Sequence, residues 1–148
     1  MKNIRKKKVL FICTHNSARS QMAEVFLKTL YPDDYEACSA GTEPTEINPY
    51  AIEVMEEIDI DISRQMAKSI NEFIDERFDY VITVCDQARE SCPFFPGVKI
   101  IHKSFQDPVQ FEGTVEEILA KFQKVRDEIK EWIEKAFKDG NLKIQRNH

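Results

Sequence analysis

The 148 residues suit one domain, read as 1–148, long enough to bury a single core without disulfide staples. Apolar residues make up 42%, charged residues 32%, and there are only 4 glycines, which excludes collagen, a low-complexity linker and a disordered tail. The net charge, 21 − 26 = −5, argues against a nucleic-acid partner, and no apolar run is long enough to span a bilayer, so no membrane partner is expected.

The amino terminus is basic, with Lys2, Arg5, Lys6, Lys7 and Lys8 ahead of Val9-Leu10-Phe11-Ile12. That apolar stretch is too short for a signal peptide, so a cytoplasmic protein is expected, with the basic run a solvated lead-in to a strand. Val9–Ile12 suits a strand buried on both faces. A polar stretch follows, and then Met22, Ala23, Phe26, Leu27 and Leu30 recur at helical spacing before Pro32. Tyr35–Ala40 reads as a second strand closed by Gly41. Asn48-Pro49 opens a helix whose face is Ala51, Ile52, Met55 and Ile58.

Tyr80-Val81-Ile82-Thr83-Val84-Cys85 is the strongest strand signal, and Val98–His102 is read as a fourth strand. A long amphipathic helix ends the chain, with Ile118, Leu119, Phe122, Val125, Ile129, Trp132, Ile133, Ala136 and Phe137 as its stripe and Gly140 as its stop. Strands alternating with helices predict an α/β fold, a single three-layer domain with a four-stranded parallel sheet flanked by helices.

The chemistry concentrates in Cys13-Thr14-His15-Asn16-Ser17-Ala18-Arg19-Ser20, a C-x5-R-S loop between the first strand and the first helix. Backbone N–H groups of such a loop and the helix dipole form a nest for an anion. Arg19 adds a planar fork matched to two oxygens of a tetrahedral oxyanion. A cysteine placed at a helix start beside an arginine and a hydroxyl is expected to have a lowered pKa. Ser20 is expected to hydrogen-bond the Cys13 sulfur, and Asn16 to shape the loop. Such a loop is expected to bind phosphate, arsenate or sulfate and to aim a sulfur at the central atom. Neither nucleotide-binding glycine pattern is present.

Asp107-Pro108 follows the fourth strand. The pair either starts a turn or supplies an acid for a departing oxygen, and beside the C-x5-R loop the acid is preferred. Of the 4 cysteines, Cys38 reads as a strand-packing thiol. Cys85 and Cys92 have six residues between them, too many for a zinc knuckle, so no metal is expected. Parallel strands deliver functional groups at their carboxyl ends, where Cys13 and Cys85 both fall. On spacing alone, Cys85 and Cys92 are either working thiols or unrelated cysteines. A straight helix would hold their Cα atoms about 10.5 Å apart, beyond the roughly 7 Å limit for a disulfide.

These residues, with Gln21-Met22-Ala23-Glu24, Ser39-Ala40-Gly41, Asp59–Ser63 and Val125–Ile129, resemble the thioredoxin-coupled arsenate reductases built on the low-molecular-weight protein tyrosine phosphatase fold. The resemblance implies an oxyanion site at Thr14, His15, Asn16, Ser17, Ala18, Arg19 and Ser20, with Cys13 as nucleophile and Asp107 as general acid. It implies that Cys85 then attacks Cys13, releasing arsenite, and that Cys92 resolves that bond into a Cys85–Cys92 disulfide reduced by thioredoxin. No cofactor is implied. His15 stands where many members carry glycine, and Ala18 where some carry cysteine. Lys68 falls where potassium-binding members place an aspartate, and its ammonium is expected to take the cation's place beside Glu24. A phosphatase is the alternative enzyme, weakened because Val109 follows Pro108 where that family usually has tyrosine. A metalloid-sensing thiol protein is the non-enzymatic alternative. His102 and His148 have no evident catalytic partner, and Trp132 reads as core.

Overall fold

A computed structural model describes residues 5–91, 99–140 and 142. Strands β1 (Lys7–Cys13), β2 (Tyr35–Gly41), β3 (Tyr80–Thr83) and β4 (Lys99–His102) form one parallel sheet in the order β2-β1-β3-β4. Helices α1 (Arg19–Leu30), α2 (Pro49–Glu56), α3 (Asp86–Ser91) and α4 (Val115–Ala136) flank it, with short 3-10 turns at Ile70–Phe73, Pro108–Gln110 and Lys138–Gly140. The expected parallel α/β fold is the one observed.

β1 is central, and Val9, Leu10, Phe11 and Ile12 are wholly buried. That is why their run is continuous rather than alternating. β4 is an edge strand, short and led by an exposed lysine, which suits an unpaired sheet edge. β3 ends at Thr83, so Val84 and Cys85 lie past the strand rather than inside it. Cys85 carries the chain into α3, and the β-branched run had masked that boundary.

Asn48 caps α2 through its side chain, which accepts from the Tyr50 N–H at 2.8 Å, and Pro49 takes the first helical position. α4 begins with a capping box between Thr114 and Glu117, a signal that sets its start ahead of the apolar stripe. Phe122, Val125, Ile129, Ile133 and Phe137 of that stripe are buried, so Ile129→Ala would cost about 2–5 kcal/mol. Trp132 is half-buried, edge-on to Phe105 and Phe137. Cys38 is likewise half-buried and packs against the core. The helix ends at Ala136, before Gly140, which adopts a left-handed φ of 74°.

The sheet order places β1 between β2 and β3, so the chain leaves β1 to one side and returns on the other. The carboxyl ends of β1 and β3 therefore open a crevice at the switch point, where parallel sheets bind ligands.

Candidate active site

β1 ends at Cys13, in register with Gly41 at the end of β2. The segment after Gly41 runs along the loop and binds its carbonyls. Thr42 N donates to Cys13 O, Glu43 N to Thr14 O, Thr45 N to His15 O and Asn48 N to Ser17 O, at 2.7–3.2 Å. These bonds engage the carbonyls of Cys13, Thr14, His15 and Ser17, so that side of the loop backbone is satisfied without using its N–H groups. Gly41 permits this contact. A Cβ there would stand 2.7 Å from Thr14 O and 3.0 Å from Asn16 N.

Asn16 locks the loop from within. Its φ of 51° is left-handed, a conformation asparagine tolerates better than most residues. Its Nδ2 donates to Ser20 Oγ at 2.8 Å and Ser39 Oγ at 3.0 Å. Its Oδ1 accepts from Gln21 Nε2 and from the Lys68 N–H. Ser20 is thus held by Asn16 rather than bonded to the Cys13 sulfur, a correction to the sequence reading. Ser39 passes the network on to buried Glu24, donating at 2.7 Å. Two ammonium groups flank that carboxylate: Lys28 at 2.8 Å and Lys68 at 3.8 Å. Lys68 reaches Glu24 as expected, but Lys28, one helical turn away, is the closer partner.

Arg19 opens α1 and is almost fully buried. Its Nη1 donates to Phe105 O at 2.9 Å, and its Nη2 lies 3.4 Å from Asp107 Oδ2. Asp107 caps the Pro108–Gln110 turn, its Oδ1 accepting from Val109 N. The arginine therefore ties the anion loop to the segment carrying the expected acid. A cleft of about 310 Å³ is lined by Thr14, Arg19, Cys85, Gln87, Phe105 and Asp107. His15 also borders it, with Nδ1 2.9 Å from Glu43 O.

Cys85 faces this loop from the start of α3. Thr14 Oγ1 lies 3.3 Å from its Sγ, and Ala88 N donates to that Sγ at 3.4 Å. The Cys13 and Cys85 side chains interact, and the two thiols shift in opposite directions. That interaction and burial push the Cys13 thiol up, against the pull of Arg19 and the Thr14 backbone. The same interaction, helped by Thr14, Ala88 and Arg19 against desolvation, pulls Cys85 down to about 5. The expected lowering at Cys13 thus falls on Cys85 instead, because the Cys13 thiol acts on the Cys85 sulfur as a hydrogen-bond donor, which favours charge on the acceptor.

The C-x5-R loop thus meets a second thiol just past the end of β3, the neighbouring strand in the sheet. Residues 8–147 match the model of the low molecular weight phosphotyrosine protein phosphatases. The chain belongs to that family. Among members it is 43% identical over 136 residues to the arsenate reductase of Oceanobacillus iheyensis, covering 91% of this chain and 98% of the relative. An arsenate reductase solved in its oxidised state superposes with a TM-score of 0.73 at 36% identity, covering 86% of this chain and 94% of that one. A thioredoxin-dependent arsenate reductase of Corynebacterium glutamicum superposes with a TM-score of 0.63 at 30% identity, over 90% of this chain and 64% of that one.

This family member therefore brings Thr14, Arg19, Cys85 and Asp107 to one cleft, and Cys13 to an adjoining small pocket that shares Arg19 and Asp107 with it. Cys92 and His148 lie outside the described residues. Ser17 and Ala18 form the turn into α1, and Ala18 gives that helix no side-chain cap, leaving its first N–H groups unbonded by a cap. Three contributors escaped the sequence reading: Gly41, the 42–48 segment and His102. Only Gly41 had a local signal, a glycine ending a strand. His102, expected to lack a catalytic partner, bonds Thr83 and Asp86.

Proposed function

We propose that this protein reduces arsenate to arsenite in the cytoplasm, drawing electrons from thioredoxin, as a detoxification enzyme. The observation that carries the reading is the second sulfur: Cys85 lines the cleft at the anion loop, its Sγ 3.3 Å from Oγ1 of Thr14, the residue after Cys13. Ester hydrolysis needs one nucleophile. Reduction of arsenic from the pentavalent to the trivalent state needs two electrons, which two thiols supply by forming one disulfide.

The loop's N–H groups and the Arg19 fork hold the oxyanion, and phosphate or sulfate would bind there as analogues. Cys13 then displaces one arsenate oxygen. The thiol proton leaves with that oxygen as water, with Asp107 placed to assist. The Cys85 thiolate next attacks the Cys13 sulfur. The sulfur–arsenic bond pair passes to arsenic, arsenite departs, and a Cys13–Cys85 disulfide remains. Cys92 resolves it in turn, and thioredoxin reduces the Cys85–Cys92 bond. The similarity to arsenate reductases, one of them thioredoxin-dependent, favours this reading over a phosphatase.

The test is arsenite formation with thioredoxin as sole donor, beside aryl phosphate hydrolysis without reductant. Sustained arsenite production is expected. Phosphate release with no arsenite would make the protein a phosphatase instead.

A further inference from the structure

His102 joins three elements around Cys85. Its Nδ1 lies 2.8 Å from Oγ1 of Thr83, the last residue of β3, and its Nε2 lies 2.9 Å from Oδ1 of Asp86, the first residue of α3. A carboxylate only accepts, so Nε2 carries a proton. A neutral ring then accepts the Thr83 hydroxyl proton at Nδ1, and a charged ring donates to the Thr83 oxygen. Both forms keep the chain of bonds intact.

Thr83 and Asp86 bracket the two residues Val84 and Cys85. Cys85 Sγ accepts the Ala88 N–H, and Cys85 O accepts the Arg89 N–H, only while the first turn of α3 is wound. That helix has six residues, too short to hold itself in water. Its winding depends on tertiary anchors, and the His102–Asp86 bond is one, at the turn that receives the sulfur.

We infer that Thr83, His102 and Asp86 are positioning residues, which brace the first turn of α3 and so hold Cys85 for its attack on the Cys13–arsenic adduct. This rests on the reading of Cys85 as the second nucleophile. The Asp86 carboxylate is exposed, so loss of the bridge should slow the step only about three- to fivefold.

The experiment compares His102→Leu, Asp86→Ala, their double variant and Asp86→Asn in the full reduced chain. It reads single-turnover arsenite release against pH, and phosphate affinity by titration. His102→Leu and Asp86→Ala should each slow release about three- to fivefold and raise the pH midpoint of release, because a loosened turn weakens the Ala88 N–H bond to Cys85 Sγ. The double variant should match the single ones, because both ends act through one bridge. Asp86→Asn keeps an acceptor and should approach wild type. Phosphate affinity should not change. Unchanged release in both single variants would overturn the bracing. So would multiplicative losses in the double variant with weakened phosphate binding, which would mean general loosening. Cys85→Ser separates the two readings: wild-type release from it would sink the second-thiol reading itself, whereas dependence on Cys85 without dependence on the bridge sinks the bracing alone.

Discussion

Replacing Gly41 with alanine should disable the site without touching a reacting group. The new Cβ would sit 2.7 Å from Thr14 O, where ordinary contact begins near 3.4 Å, so something must move by about 0.7 Å. The neighbours are backbone atoms of Thr14, His15 and Asn16, not the free end of a side chain. They are also tied down, since Glu43 N holds Thr14 O at 2.7 Å and Gly41 N itself donates to Lys68 O at 2.8 Å. The anion loop therefore shifts or β2 pulls away. Overpacking of this kind costs about 1–3 kcal/mol, and each kcal/mol lowers Tm by roughly 2–4 °C in a domain of this size. A displacement approaching 1 Å in a positioned loop costs about a hundredfold in rate. Thermal melts, phosphate titration and single-turnover arsenite release would report all three effects. Wild-type phosphate affinity and turnover in Gly41→Ala would refute the claim that this contact shapes the nest.

Cys13→Ser should abolish arsenite release and any aryl phosphatase activity, and Arg19→Lys should lower both by about a hundredfold or more, because a point charge lacks the planar fork; rates with both substrates check this. In the free enzyme the Cys13 thiol is the first cause that holds Cys85 down at about 5; once Cys13 carries arsenic that help is gone, so arsenite release should be flat at high pH and, as pH drops, begin to fall above pH 5 as Cys85 is protonated, which a single-turnover pH series measures. Cys92→Ser should complete one turnover and stop as a Cys13–Cys85 disulfide, which quenched mass spectrometry would detect; sustained turnover with thioredoxin alone would dismiss the triple-thiol relay. Potassium should raise neither turnover nor Tm, because the Lys28 and Lys68 ammonium groups already flank Glu24; a potassium-dependent rise in either would overturn that assignment.

The parts legible in the sequence are those whose signal is contiguous. The C-x5-R-S run between an apolar strand and a periodic helix placed Cys13, Thr14 and Arg19 together, because the chain turns directly from β1 into α1. Asp107 was readable because proline fixes the residue before it and the strand ahead ends at the same sheet edge. What stayed hidden depends on partners far along the chain. The bonds from 42–48 to the loop carbonyls involve backbone N–H groups that any sequence supplies. The His102–Asp86 pair joins positions 16 apart, across a strand end and a helix start. The end of β3 at Thr83 has no local signal, because Val84 continues the β-branched run and tertiary placement, not propensity, turns the chain there.

The distribution of charge between the two sulfurs was the least legible feature and bears most on the proposed chemistry. A helix start and an arginine beside Cys13 argue for a thiolate there, and Arg19 does pull in that direction. The interaction with the Cys85 sulfur outweighs it, so Cys13 keeps its proton and Cys85 is the ionised partner. The order of steps in the proposed cycle is compatible with that inversion. Cys13 can bring its own proton to the departing oxygen, whereas Cys85 attacks a sulfur already bonded to arsenic and has no oxygen to protonate, so it must arrive ionised. Low-pKa thiolates are also the ones most prone to oxidation when exposed. Cys85 is only 4% exposed, and Thr14, Ala88 and Cys13 all bond its sulfur. Burial thus shields the charged sulfur from solvent oxidants, and the same hydrogen bonds that keep it ionised keep it aimed at Cys13.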